Sequence, residues 1–225
     1  MTADAGRPAR ASVRRQEWSA VAPPDHQRIR EIWEEAFPPN ERSEHDTVSR
    51  RDSTWLWTAH LPDEGLVGFA TALHLPTARV AYLEYLAVAP EVRGSGAGAA
   101  LLAAIVDDLD SEPSVQGVAL EVEDPARTPG NDPMLTRRIG FYERWGARPA
   151  SLLTDYSMPD LAVPGARVPM IVLWRGVRDN PELDADQVER LLTDLFRGYY
   201  AHAAVEGHLE EMVGRISRDG PRTTR

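Results

Sequence analysis

Residues 86–98 read Leu-Ala-Val-Ala-Pro-Glu-Val-Arg-Gly-Ser-Gly-Ala-Gly and carry the clearest chemical signal in the chain. An apolar strand runs into Pro90, which has no N–H to continue a ladder, so the chain leaves the sheet there. Arg93, Gly94, Ser95, Gly96, Ala97 and Gly98 follow, and an apolar helix begins at once. Glycines let the backbone turn so that successive N–H groups face one concavity. The helix N-terminus adds about half a positive charge. With the Arg93 guanidinium, these groups make a cradle for a pyrophosphate. The glycines alone also suit a plain strand-to-helix turn. A third reading is a dinucleotide fingerprint, because Gly94-x-Gly96-x-x-Ala99 fits G-x-G-x-x-G/A. That fingerprint belongs to the first strand of a βαβ domain, whereas residues 13–92 precede it here with strands and helices of their own. Glu84 is the second signal, a carboxylate in the otherwise apolar run VAYLEYLAV. A buried carboxylate left unpaired is costly, so Glu84 requires a partner, a raised pKa or a wet cleft; a structural glutamate paired with an arginine is the alternative to a chemical role.

The elements that position these residues follow from periodicity and breakers. Val13–Val21 makes a first strand, and Pro23-Pro24-Asp25 opens a helix whose apolar face is Ile29, Ile32, Trp33 and Phe37. Glu41–Asp52 is a more polar helix or loop. Thr54–His60 and Leu66–Leu75 are strands joined by a Pro-Asp-Glu-Gly turn. Val80–Val88 is a strand, residues 96–110 a helix, Val115–Val122 a strand, and Met134–Trp145 a helix stopped by Gly146. Ser151–Tyr156 and Pro169–Trp174 form a closing pair of strands. Several strands are joined by hairpins and two by helices, which predicts an α/β fold with a mixed, mostly antiparallel central sheet and flanking helices. Beyond residue 179 an apolar stripe runs through Val188, Leu191, Leu192, Leu195, Phe196, Tyr199 and Tyr200, and resumes at Leu209, Met212, Val213 and Ile216. It predicts a C-terminal extension of two helices over 179–216, joined near Gly207, after a domain at 13–178. Residues 1–12 and 217–225 read as disordered ends.

Composition excludes several classes. The chain has 225 residues, no cysteine, and a formal net charge of −10. Its basic residues are all arginine. Without cysteine there are no disulfides, thiolate metal sites or thiol nucleophiles. An acidic protein is a poor general binder of phosphate backbones, so nucleic acid is not an expected partner. No apolar run reaches the roughly 20 residues of a membrane span, and residues 1–15 lack the apolar core of a secretory signal. The histidines show no metal-ligand spacing, and no metal is expected. The composition is that of a soluble, cytoplasmic protein.

Val88-x-Pro90-x-x-Arg93-Gly-x-Gly-x-Gly98 resembles the acyl-CoA pyrophosphate loop of the GNAT superfamily of N-acetyltransferases. Phe141-Tyr-Glu-Arg-Trp-Gly-Ala147 is similar to that superfamily's Tyr-x-x-x-Gly-Phe/Ala helix, which lies beside the cofactor thiol. The interval between the blocks, one helix and one strand, fits too, and the resemblance spans residues 13–174. One departure is that Leu135 and Arg138 stand in the region where many members carry an Asn. The resemblance implies a GNAT fold in which the strand before the loop splays from its neighbour and admits pantetheine. Leu86, Ala87 and Val88 would then pair with the pantetheine, and the amides of Arg93 to Gly98 would hold the pyrophosphate. Locally, Tyr82-Leu-Glu84 and Phe141-Tyr142-x-Arg144 are most similar to spermidine/spermine N-acetyltransferase, which makes Glu84 the candidate base and Tyr142 the candidate acid. Elementary chemistry agrees with both roles. An alkyl amine is uncharged in only about one molecule in 10³ at pH 7, so a carboxylate near the attacking nitrogen both attracts it and takes its proton. A phenol can protonate the departing thiolate.

Glu123 and Glu121, on the strand across the splay, are the rival bases. Glu41 and Arg42, after the first helix, fall where the superfamily places the acceptor wall. The expected reaction is direct transfer from acetyl-CoA to a primary amine, with a small molecule, an amino acid, a polyamine and a protein N-terminus all open as acceptors. A non-catalytic acyl-CoA-binding module of the same fold is the rival class. The C-terminal stripe must be covered, either in cis or by a second subunit, and a homodimer contact is the favoured expectation.

Overall fold

A computed structural model describes residues 10–38, 42–43, 45–130, 132–178 and 182–217. Most of both expected disordered ends, and Glu41, lie outside the described residues. The order is β1 (Ser12–Gln16), α1 (Pro23–Ala36), α2 (His45–Ser49), β2 (Thr54–Leu61), β3 (Gly65–Leu75), β4 (Val80–Val88), α3 (Ala97–Asp110), β5 (Gly117–Glu123) and α4 (Pro133–Arg144). Then follow β6 (Arg148–Pro149), β7 (Ser157–Pro159), β8 (Arg167–Gly176), α5 (Ala185–Asp194), a π-helical turn (Leu195–Tyr199) and α6 (His208–Gly214). The sheet runs β1-β2-β3-β4-β5-β8-β6, with β7 paired to the first half of β8. Only β4 and β5 pair in parallel among the described strands; the other pairs are antiparallel. The mixed, mostly antiparallel sheet is therefore as expected. The expected first strand is shorter, because the chain turns through a 3₁₀ helix at Trp18–Ala20. Ser151–Tyr156 is not a strand; the strand preceding β8 that pairs with its first half is Ser157–Pro159.

Two irregularities in β4 shape the molecule. Leu83 pairs with Ala72 and Tyr85 with Thr71, so Glu84 is the extra residue of a β-bulge. A bulge moves the following side chains to the other face of the strand. Leu83 packs with the α3 side of the sheet, and Tyr85 with α1, beside Trp33 and Phe69. The second irregularity is the short parallel ladder. β4 meets β5 only from Val80↔Gly117 to Tyr82↔Ala119. Beyond that the strands part, and the second half of β4 keeps only its β3 partner.

One face of the sheet carries α3 and α4, and its core includes Leu101, Leu102, Ile105 and Leu173. The other face carries α1 at one end and the C-terminal helices at the other. Asp184 caps α5 in a capping box: it accepts from the Gln187 N–H at 2.7 Å, and Gln187 Oε1 accepts from the Asp184 N–H at 2.8 Å. Gly207, at φ 80°, starts α6 at the expected joint. The apolar stripe is covered within the chain. Val188, Leu191, Leu192, Leu195, Phe196 and Tyr200 are each at most 3% exposed, packed with Tyr156, Met158, Val172 and Trp174. Most of the stripe is thus met in cis, which answers the demand behind the homodimer expectation; Tyr199, Leu209 and Val213 are its half-buried members. Among the described residues no helix is long and apolar enough to cross a membrane.

Candidate active site

A cleft of about 620 Å³ opens where β4 leaves β5. On the α3 side its wall is the glycine loop. Gly94 and Gly96 adopt φ of 86° and 90°, a left-handed backbone that a side chain would strain. Gly96 is the N-cap of α3 and has no side chain with which to cap it. The first helical bond runs from the Ala100 N–H to the Gly96 carbonyl. The Gly98 and Ala99 amides therefore have no partner inside the helix, while the Ala97 N–H meets the Ser95 hydroxyl at 3.3 Å. Arg93, Gly94, Gly96, Ala97 and Gly98 line the cleft, as do Leu86, Ala87 and Val88. Ser95 does not. The loop is tied to α1 by ion pairs from Arg93 to Glu35 at 2.6 Å and from Arg28 to Glu91. Arg137 and Arg138 of α4 add positive charge to the same side.

Tyr142 lines the cleft from α4, half-buried, with its ring 5.2 Å from that of Phe141. Burial pushes its phenol up to about 12, against the opposing charge of Arg138. It is a neutral donor at ordinary pH.

Glu84 also lines the cleft, but its side chain is 0% exposed. Its Oε1 accepts from Arg51 Nη1 at 2.8 Å, and its Oε2 is buried without a hydrogen-bond partner among the described residues. Burial raises its pKa, and the Arg51 charge and hydrogen bond oppose that rise. The Tyr199 hydroxyl lies near enough to favour the ionised form as well. Of the three ways to bear such a burial, Glu84 shows an arginine partner and a raised pKa; the arginine pair is equally what a structural glutamate would have.

Glu121 sits on the same wall in a different setting. Its oxygens accept from the Tyr156 hydroxyl at 2.6 Å and the Tyr200 hydroxyl at 2.7 Å. Burial raises it to about 7, and the tyrosine hydrogen bonds hold it from rising further. Tyr82 joins the cluster, its hydroxyl 3.1 Å from that of Tyr200. Glu123 lines the cleft two residues further on and is partly exposed. Arg42 does not line it. One of its guanidinium nitrogens is buried without a partner among the described residues, and the Ser43 N–H beside it donates to the Tyr85 hydroxyl at 2.8 Å.

Three residues that sequence reasoning did not assign to the site belong to it. Arg51, from the loop before β2, neutralises Glu84. Tyr199 and Tyr200, from the C-terminal extension, line the cleft. The Tyr199 ring lies 5.3 Å from Tyr82 and 4.7 Å from Tyr200, and the Arg51 guanidinium sits 5.4 Å from its centre. Their place in an i, i+3, i+4 stripe signalled burial but not which wall they would meet. Among the described residues no cluster of three or more His, Asp or Glu side chains could hold a metal ion.

The sequence profile of the acetyltransferase (GNAT) family matches residues 23–147. The chain belongs to that family of acetyltransferases. Similar solved structures agree. A Bacteroides thetaiotaomicron protein assigned to the GNAT family is 25% identical, with TM-score 0.61 over 82% of this chain and 97% of its own. Arabidopsis thaliana NAA60 in complex with acetyl-CoA is 20% identical, with TM-score 0.54 over 74% of this chain and 99% of its own. The spermidine/spermine N-acetyltransferase SpeG from Vibrio cholerae is 12% identical, with TM-score 0.50 over 74% of this chain and 92% of its own. The latter two likenesses are of fold. No curated protein sequence matches the chain.

Proposed function

We propose that the chain transfers an acetyl group from acetyl-CoA to the primary amine of a small molecule, by direct attack within a ternary complex. The observation that carries this reading is the parting of β4 from β5. It leaves a strand edge and a glycine cradle on one side, and a buried carboxylate with one free oxygen on the other. The residues present fit acetyl-CoA. Leu86 to Val88 pair with β3 alone and so offer an open strand edge to an extended amide arm, and the loop and α3 amides with Arg93 suit a pyrophosphate.

Acetyl-CoA supplies an activated acyl thioester. Glu84 Oε2 accepts a hydrogen bond from the incoming ammonium and takes its proton, directly or through a water. Burial raises the Glu84 pKa, and Arg51 opposes that rise and favours the ionised form that accepts the proton. Backbone N–H groups of the parted strand near Val88 polarise the thioester carbonyl. Tyr142, a neutral phenol on the cleft wall, gives its proton to the departing sulfur, and the second proton lost by the nitrogen as the amide forms restores the phenol. The chain has no cysteine, so the acetyl group passes to the amine without a cysteinyl intermediate.

That absence also gives a clean assay, because a thiol reagent sees only released CoA. Thiol release from acetyl-CoA should require both enzyme and an amine. Melting should shift upward with acetyl-CoA and not with NADH. The opposite pattern, a shift with NADH and none with acetyl-CoA, overturns the reading.

A further inference from the structure

We propose that the acceptor is a compact hydrophobic monoamine, an arylalkyl or branched alkyl amine with a single ammonium, and that Tyr199 of the C-terminal extension seats its apolar body. This rests on the reading of the cleft as an acetyltransferase site. The family profile ends at Ala147, and the acceptor side of the cleft is built largely beyond it. Met158, Leu161, Val168, Met170, Tyr199 and Tyr200 all line the cleft. Strand register places Met158, Val168 and Met170 on the Glu121 side of the sheet, and the Tyr200 hydroxyl reaches Glu121 from the C-terminal extension. Met170 pairs with Glu123, and Met158 with Val168, and paired residues share a face.

The polar inventory of that side sets the charge of the ligand. Glu121 has both oxygens occupied by tyrosine hydroxyls. Arg51 is engaged by Glu84 and lies over the Tyr199 ring, and Arg42, with one guanidinium nitrogen unpartnered, is not part of the cleft wall, so among the described residues this wall offers no unengaged guanidinium to an acceptor carboxylate. Glu84 Oε2 is the carboxylate oxygen there that is buried without a partner. It matches one ammonium. Among the described residues, the carboxylate left on that wall for a second ammonium is Glu123, which is partly exposed.

The apolar inventory sets the body of the ligand. Phe37, Leu161, Val168 and Tyr199 are half-buried within the cleft, whereas Tyr200 beside them is fully packed. Apolar surface left open in a cleft that also holds convergent polar groups is the usual form of a small-molecule site. The π-helical turn Leu195–Tyr199 supports a functional purpose. Its Tyr200 N–H reaches back to the Leu195 carbonyl at 2.7 Å, a wider turn than α-helix gives and one often found at functional sites. It is at this turn that Tyr199 faces the cleft while Tyr200 enters the core.

The test is kcat/KM of the full chain with acetyl-CoA and a panel: 2-phenylethylamine, 3-methylbutylamine, spermidine, glutamate and an alanyl peptide. The apolar monoamines should lead the others by about tenfold or more, the size of discrimination a hydrophobic pocket gives. Tyr199→Ala should raise KM for 2-phenylethylamine about tenfold with acetyl-CoA affinity unchanged, and Tyr199→Phe should restore it. Leu161→Glu, in a loop and only half-buried, should shift preference toward spermidine, and it carries the test if Tyr199→Ala does not fold. Spermidine, glutamate or the peptide leading the panel overturns the proposal, as does an unchanged KM in a folded Tyr199→Ala. If acetyl-CoA raises the melting temperature but no amine releases thiol, the acetyltransferase reading itself fails.

Discussion

Glu121→Gln probes the buried carboxyl–tyrosine cluster through stability. Burial raises Glu121 from an ordinary 4.5 to about 7. Each tenfold change in an ionisation constant is worth about 1.4 kcal/mol, so this rise corresponds to about 3 kcal/mol. Between those two values the unfolded chain has lost a proton that the folded chain keeps. The folded state then binds more protons, and its stability falls as pH rises. The contribution is fully present below pH 4.5 and lost as pH passes about 7. Glutamine has no proton to lose. Its amide can also remain in the hydrogen-bonded cluster, because Tyr200 can turn its hydroxyl proton toward Tyr82, 3.1 Å away, or toward the Met158 sulfur at 3.5 Å. The stability of Glu121→Gln relative to wild type should therefore climb by about 3 kcal/mol between pH 4.5 and 8. His45, His74 and His208, all lowered by burial, also contribute to the pH dependence, but they are common to both proteins and cancel in the difference. Urea unfolding of the two proteins at pH 5, 6, 7 and 8 measures it. A difference that stays flat across the range would falsify the assignment of a raised pKa to this residue.

Three further perturbations follow from the same geometry. Gly96→Glu should abolish the upward melting shift of about 5–11 °C expected at 100 times the dissociation constant of acetyl-CoA; a full shift in a folded variant would show that the loop does not hold the pyrophosphate. Arg51→Ala should destabilise by about 3–5 kcal/mol because it strands the Glu84 carboxylate. Adding Glu84→Gln should recover part of that loss, and strictly additive losses would mean that the pair is not coupled. A chain ending at residue 178 exposes Tyr82, Tyr156, Met158 and Val172, which the C-terminal helices now cover. It should aggregate or fail to fold, and a soluble, folded monomer on light scattering would refute cis packing as a requirement.

Much of the glycine-loop wall of the cleft was legible because its signals are local. Pro90, the glycines at 94 and 96 and the apolar helix after them specify a strand, a turn of unusual backbone and a helix start. The elements found there match those expected within a residue or two. Tyr142 was legible by resemblance of its helix. The acceptor side was not, because its residues meet only through long-range packing. Arg51 reaches Glu84 across 33 positions, and Tyr200 reaches Glu121 across 79. Nothing in the spacing near Arg51 distinguishes it from the other arginines of the chain. The stripe Val188–Tyr200 announced that it must be buried, but both cis docking and a dimer satisfy that demand, and only the fold chooses. Sequence also ranked Glu84 above Glu121 without showing their difference. One keeps an oxygen free, and the other has both bonded to tyrosine.

The assignment of proton transfer to Glu84 is tested most directly by the turnover of Glu84→Gln with acetyl-CoA and a saturating amine, followed as thiol release. The isosteric amide removes the accepting charge and leaves the strand and its bulge in place. The account predicts that kcat falls by about 10²-fold or more while the melting shift with acetyl-CoA stays at the wild-type value. A folded Glu84→Gln that turns over at the wild-type rate, with Glu123→Gln or Glu121→Gln inactive instead, would contradict it.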